Sequence, residues 1–247
     1  TAAIASEHLF IQPGTDVALL LGLLNTLFSE QLTRQSPVLD STAGLAEVRD
    51  AVAEFTAERM APACGIPVEQ IRQLARDFAG AERAVCYGRM GVSVQRYGTL
   101  CQWLIQVINL VTGNVDVPGG SLFPEPAFEV ASARRPGHFD KWRSRVSGLP
   151  EFNGELPVAA LAEEILTPGE GQIRALVTSA GNPVLSTPNG RQLDAALESL
   201  EFMVSVDLYI NETTRHADVI LPPTASLEHD HYDITFNNFA VRNVTRY

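Results

Sequence analysis

The chain has 247 residues, a net charge of −11, 45% hydrophobic residues and a mean hydropathy of +0.04. Length and apolar content suffice for one large or two modest globular domains with full cores. The acidic balance excludes a general nucleic-acid binder, which needs a basic stripe, and no apolar run in the sequence reaches bilayer length.

In chain order, Thr1–Gln12 has neither the basic start nor the cleavage pattern of a secretory signal. The missing initiator Met points to a start inside a longer protein. Pro13-Gly14-Thr15-Asp16 reads as a turn entering a helix from about Asp16 to Leu32, apolar enough to be deeply buried. Further helices are expected over about Leu45–Phe55 and from Pro67 to about Ala79, where Val68, Ile71, Leu74, Ala75 and Phe78 share a face. A strand is expected over Ala84–Tyr87, ending on Gly88, then a polar loop to Tyr97 and a helix from about Thr99 to Thr112 stopped by Gly113.

From Asn114 to Pro157, prolines and glycines break every periodic pattern, which marks a connector between domains. Its basic cluster, Arg134, Arg135, Lys141, Arg143 and Arg145, reads as a solvated loop. A helix from about Val158 to Leu166 leads to a β-branched run that stops at Gly181-Asn182-Pro183. A helix from Pro188 and a second apolar run ending on Asp207 follow. The tail from Thr224 is irregular.

Strand, turn, helix, strand, carboxylate is an order with chemical meaning. Ligands of open α/β sheets bind outside the carboxyl ends of the strands, and phosphates sit at turns that feed helices. Gly181 allows positive φ and close backbone approach. Asp207 can accept two hydrogen bonds from guanine or from ribose hydroxyls. Taken alone, Gly-Asn-Pro is an ordinary turn and Asp207 a helix cap or surface acid. Asn211, Thr213 and Thr214 suit either a cap or a phosphate. Asp218, opening an apolar run, must be exposed or paired. The Arg89–Gln95 loop is a second candidate ligand loop, with an ordinary turn as its alternative. Arg83-Ala84-Val85 before Gly88 echoes Arg174-Ala175-Leu176-Val177 before Gly181, with too few identities to establish duplication. The three cysteines, Cys64, Cys86 and Cys101, form no C-x-x-C motif, so neither a zinc ribbon nor an iron–sulfur cluster is encoded here. Cys86 and Cys101 read as buried small hydrophobes. Glu228-His229-Asp230-His231-Tyr232-Asp233 resembles a metal cluster but lacks a completing ligand set, so a polar loop is the default and no metal ligand is assigned.

Six segments carry a family resemblance in order: Pro13–Leu20, Ile66–Ala81, Tyr87–Gly98, Leu110–Gly120, Ser179–Asn189 and Val206–Asp230. Together they resemble the large catalytic subunit of the molybdopterin oxidoreductase (dimethyl sulfoxide reductase) family, as an internal fragment. The resemblance implies an α/β fold of two open, mainly parallel-sheet, Rossmann-like half-domains joined by a Pro/Gly-rich segment. Residues 1–118 would be the later half of one molybdopterin-dinucleotide-binding domain, 119–157 an irregular connector, and 158–247 the later half of the second. It implies bis-molybdopterin guanine dinucleotide with molybdenum or tungsten. Gly181, Asn182, Pro183, Asp207, Tyr209, Asn211 and Asp218 would contact one dinucleotide, and Gly88, Met90, Gly91 and Gln95 the other.

No catalytic residue is assigned. The metal-ligating residue and an iron–sulfur cluster would lie elsewhere in the parent, whose reaction would be a two-electron redox or oxygen-atom transfer. This portion alone would be inactive. Implied partners are the parent's remaining domains and an iron–sulfur electron-transfer subunit, with no nucleic acid and no direct membrane insertion, on the cytoplasmic or periplasmic face in a prokaryote. Two alternatives stay open: a non-catalytic electron-transfer scaffold that keeps the fold without the metal, and an unrelated nucleotide-binding α/β module.

Overall fold

The computed structural model describes residues 2–127 and 137–242. Contacts divide the chain into two compact units, Thr1–Pro124 and Glu125–Tyr247.

The first unit is a helical assembly around α1 (Asp16–Ser29). Its sequence is apolar almost throughout, so it sits centrally: α4 (Ala57–Cys64), α5 (Val68–Gly80) and α7 (Gly98–Val111) all pack on it. Leu24, Leu27, Ile71, Leu104 and Val111 are fully buried there. Gly22 lets α4 and α5 approach closely, because a Cβ at that position would lie 3.3 Å from Ile71 and 3.4 Å from Met60. The buried Asn25 amide donates to the carbonyls of Val52 (2.9 Å) and Ala53 (3.1 Å), closing the end of α3 (Leu45–Val52). Three helices of this unit escape the sequence reading: the single turns α2 (Pro37–Asp40) and α6 (Met90–Ser93), and α4, where Pro62 inside the helix mimics a stop signal. Thr56 nevertheless caps α4 at its start, and Gly65 in the left-handed conformation ends it.

The expected strand over Ala84–Tyr87 has no neighbouring strand, and among the described residues the first unit contains no sheet. The parallel-sheet expectation therefore fails for this half. The segment does run without turn or bend into Gly88 and the single-turn helix α6 (Met90–Ser93).

In the second unit, the stretch expected to be irregular carries an antiparallel hairpin, β1 (Phe139–Arg143) with β2 (Pro150–Phe152). A buried acid organises it. Glu151 accepts the amides of Gly154 (2.6 Å) and Lys141 (3.1 Å) and lies 2.5 Å from His138 Nδ1. Burial pushes its pKa up, but the two amides and His138 outweigh burial and hold it below the usual glutamate range. A depressed folded-state pKa means stability that is present above the ordinary glutamate value and lost as pH falls through the depressed one. Acid titration should therefore loosen the hairpin below the ordinary glutamate range, read by Trp142 fluorescence. Glu151→Gln should flatten that response. Of the basic cluster, Arg134 and Arg135 lie outside the described residues. Arg143 pairs with Asp140, and Arg145 with Glu164 and the Thr167 carbonyl.

The rest of the second unit is a three-stranded parallel sheet in the order β3 (Ala175–Ser179), β4 (Phe202–Val206), β5 (Val219–Ile220). Helix α8 (Leu161–Leu166) packs with α10 (Gly190–Glu198), and their Ile165, Leu193, Ala196 and Leu197 form one core cluster with Met203 of β4. The single turn α9 (Pro183–Ser186) joins β3 to α10. The chain as a whole is thus mixed α/β, with one small parallel and one small antiparallel sheet among the described residues. Among those residues no helix is long and apolar enough to cross a membrane.

Candidate functional site

Strands β3 and β4 are paired in register from Ala175↔Phe202 to Ser179↔Val206, so the loops that leave them emerge side by side. Ala180 donates its N–H to the Val206 carbonyl at 2.9 Å, extending the ladder to the glycine turn. Gly181 and Asp207 therefore share the carboxyl edge of the sheet.

The Gly181 turn is sharp. Ala180 has φ 54° and Gly181 φ 90°, and a Cβ added at Gly181 would meet nothing within 4 Å. The glycine is there for its backbone, and the space beside it is open. The N–H groups of Gly181 and Asn182 have no protein partner among the described residues.

Thr213 ties the two loops together. This fully buried hydroxyl donates to Asn182 Oδ1 (2.7 Å) and accepts the Val184 N–H (3.1 Å). The other end of the Asn182 amide donates to Glu212 at 2.5 Å. Asn182 is thus engaged on both sides by the neighbouring loop. The Glu212 carboxylate, stabilised by its own backbone amide and by Asn182, is held below its ordinary pKa. Thr213→Val would leave the Val184 N–H and Asn182 Oδ1 unpartnered, at about 1–3 kcal/mol. Denaturant unfolding should show that loss, and amide exchange should speed up at Val184.

Asp207 is fixed by its own loop. Its Oδ1 accepts the N–H of Leu208 (2.7 Å) and of Tyr209 (3.3 Å), while among the described residues Oδ2 has only the long 3.5 Å approach of Asn211 Nδ2. One carboxylate oxygen thus holds the turn and the other stays largely available. Asn211 Oδ1 caps the 3₁₀ turn Thr214–His216 by accepting the amides of Thr213 (2.9 Å) and Thr214 (3.0 Å). Leu208, Tyr209 and Ile210 are exposed, Tyr209 at 75%.

Asp218 is elsewhere. It precedes β5, and its Oδ2 accepts the Met203 N–H at 2.7 Å, at the amino end of β4. Four residues of strand, roughly 13 Å, separate that end from Asp207. The structure gathers Gly181, Asn182, Pro183, Asp207, Tyr209 and Asn211 and leaves Asp218 apart as the paired acid.

The loop in the first unit holds Gly88, Met90, Gly91 and Gln95 around the α6 turn. Gly88 is a packing glycine, since a Cβ there would come within 2.7 Å of Ile105. Gly91 faces open space, and Met90 is 66% exposed. Gln95 is engaged inside the protein, donating to Asp16 Oδ2 (2.6 Å) and the Gly91 carbonyl (2.7 Å).

The sequence reading missed Glu212 and the Asp194–Arg215–His216 network. Asp194 accepts a forked pair from Arg215 (2.7 and 2.8 Å) and lies 2.7 Å from His216 Nε2. The hydrogen bonds from His216 and Arg215 hold its pKa low. The network clamps the 3₁₀ turn to α10 across 21 and 22 residues, a separation no local pattern reveals. Burial pushes the Cys86 thiol up to about 11 and also raises Cys101, which disfavours the thiolate at both. His229 and His231 stack edge-on at 6.0 Å, and no group of three or more His, Cys, Asp or Glu among the described residues is placed to hold a metal ion.

The molybdopterin oxidoreductase family model matches residues 1–241. The chain belongs to the molybdopterin oxidoreductase family. Its relatives in the family include the F420-dependent formate dehydrogenase subunit alpha of Methanocaldococcus jannaschii, 27% identical over 93% of this chain and 36% of that protein. The assimilatory nitrate reductase catalytic subunit of Bacillus subtilis is 28% identical over 92% of this chain and 34% of the relative. The dimethyl sulfoxide/trimethylamine N-oxide reductase of Cereibacter sphaeroides is 29% identical over 88% and 29%. Among solved structures, the acetylene hydratase of Pelobacter acetylenicus superimposes with a TM-score of 0.72 at 18% identity, over 93% of this chain and 36% of the hydratase. The chain spans about a third of the length of the relatives it matches.

Proposed function

We propose that this chain is the cofactor-binding portion of a molybdenum or tungsten oxidoreductase and that its Gly181–Asp207 edge grips a guanine dinucleotide extension of the pterin. One observation carries the reading: a rigid carboxylate with a largely available oxygen stands beside an open glycine turn, at the carboxyl ends of paired parallel strands.

The residues fit such a group. Asp207 Oδ2 would accept from the two adjacent donors on the guanine edge, while Oδ1 keeps the side chain oriented. Exposed Tyr209 offers a flat apolar wall for a ring. The unpartnered amides of Gly181 and Asn182 suit an anionic oxygen. The Glu212 charge disfavours a phosphate on the Asn182 side chain, so the backbone of the turn is the anion-facing part. Asn211 and Thr213 position these groups. When bound, the cofactor would supply two-electron redox chemistry at its metal; the residues here bind and orient it.

In this reading the Gly88–Gln95 loop serves a second dinucleotide through its backbone around Gly91. The longer protein is an enzyme of two-electron redox or oxygen-atom transfer, with further domains and an iron–sulfur subunit as partners. The test is anaerobic purification of the full-length protein with metal and guanine analysis. Two guanines per molybdenum or tungsten are expected. A folded protein with neither metal nor guanine would defeat the reading.

A further inference from the structure

Two segments form the carboxyl edge of the parallel sheet, and their charges are all of one sign. From Ser179 to Gly190 there is no charged residue; from Val206 to Thr214 there are Asp207 and Glu212, both acids. The Glu212 carboxylate accepts from Asn182 Nδ2 at 2.5 Å, and Asn182 Oδ1 accepts from the buried Thr213 hydroxyl at 2.7 Å. Asn182 therefore holds the acid beside the glycine turn. The Glu212 backbone amide and Asn182 keep the carboxyl below its ordinary pKa, so it is charged at neutral pH. Arg215 is close enough to favour that charge, but its guanidinium is forked onto Asp194 at 2.7 and 2.8 Å. His216 Nε2 lies on the same Asp194 carboxylate at 2.7 Å. The local cations are thus directed at Asp194, and the Glu212 charge stays at the turn.

The amides of Gly181 and Asn182 offer dipoles to an anion, not a counter-charge. Such a site tolerates little charge. A pyrophosphate esterified at both ends carries one negative charge on each phosphorus. A free terminal phosphate carries up to one more, because its second proton is lost at about pH 6. Each further charge is set against Glu212. Glu212 is exposed, so solvent screens the repulsion. Two like charges roughly 6 Å apart in such surroundings still shift an equilibrium about fivefold. A repulsive group of this kind sets specificity by penalising the wrong ligand.

We propose that Glu212 is a specificity-determining residue that makes this edge select a guanosine pyrophosphate esterified at both ends and reject GDP and GTP. The inference rests on the guanine-dinucleotide reading of the edge and adds what the edge excludes. Asp207 cannot make this distinction, because the guanine base is the same in all three ligands. What differs is the charge on the last phosphate. The glycine turn alone would accept any phosphate through its backbone. The acid tied to Asn182 supplies the missing discrimination, at the one side chain hydrogen-bonded both to it and to the loop that carries Asp207.

Equilibrium binding to the full-length protein tests it, with the protein produced in a host that makes no molybdopterin. The probes are GDP-mannose, which is esterified at both ends, GDP, GTP and, as the adenine control, ADP-glucose, all without divalent cations. Affinity should fall in the order GDP-mannose, GDP, GTP. Glu212→Gln keeps an oxygen for Asn182 and removes the charge. It should narrow the gap between GDP-mannose and GTP by about fivefold or more, mainly by strengthening GTP. A gap that Glu212→Gln leaves unchanged would overturn the proposal and leave the dinucleotide reading standing. Should that variant not fold, salt decides: the gap in the unsubstituted protein should shrink as ionic strength rises, and a salt-independent gap would overturn the proposal. Binding of ADP-glucose as tight as that of GDP-mannose, or no binding of any probe, would overturn the guanine reading itself and the proposal with it.

Discussion

Asp207→Asn should lower the guanine content of the purified full-length protein to about half, because only one of the two proposed dinucleotides is read at this edge. The exchange keeps an oxygen that can accept the amides of Leu208 and Tyr209, so the loop holds its shape. It replaces the second oxygen with an NH₂ group that would face the donors of a guanine edge. Losing two charge-assisted hydrogen bonds and leaving donors opposed costs about 3 kcal/mol, roughly a hundredfold in affinity. Asp207→Ala should lose more, because it also releases the Leu208–Tyr209 turn. Amide exchange at those two residues separates the effects: unchanged in Asp207→Asn, faster in Asp207→Ala. An Asp207→Asn protein with its loop intact and its full guanine content would remove the base-reading role.

The carboxyl edge was legible in the sequence because its chemistry is carried by residue type. Gly181 announces positive φ, and Asp207 announces itself by ending an apolar run. The same logic, applied strictly, separates Asp218: a residue that precedes a parallel strand lies at the amino end, away from ligands. What joins the loops was not legible. Thr213 meets Asn182 and Val184 across about thirty residues, and the pairing of Asp194 with His216 is equally remote. Helices α1, α5 and α7 were readable from apolar spacing, whereas α4 hid behind Pro62, which its cap and packing override. The strand before Gly88 was read from its alternation, which the structure retains, but alternation cannot say whether a neighbour is present.

Gly98→Ala should be among the most damaging single-methyl additions in the chain. Gly98 is buried at the first turn of α7, and an added Cβ would sit 1.9 Å from the Ser93 carbonyl oxygen and 2.6 Å from its carbonyl carbon. Backbone atoms cannot swing away as a flexible side chain does, so either the 89–97 loop or the start of α7 must move. Overpacking of this kind costs about 3 kcal/mol or more. The damage should reach the candidate loop as well as the stability, because Gln95 reaches Asp16 and the Gly91 carbonyl from within the displaced segment. Gly80→Ala is the control: it ends α5 in open space without positive φ, and should be neutral or stabilise by up to about 1 kcal/mol. Gly190→Ala should repeat the Gly98 effect in the second unit, against the Val184 carbonyl at 2.0 Å, loosening the segment that Thr213 holds. Denaturant unfolding of the three variants distinguishes a shared geometric requirement from general sensitivity to added bulk. If Gly98→Ala and Gly190→Ala behaved like Gly80→Ala, the tight passage from single-turn helix to long helix would not be what fixes the two loops.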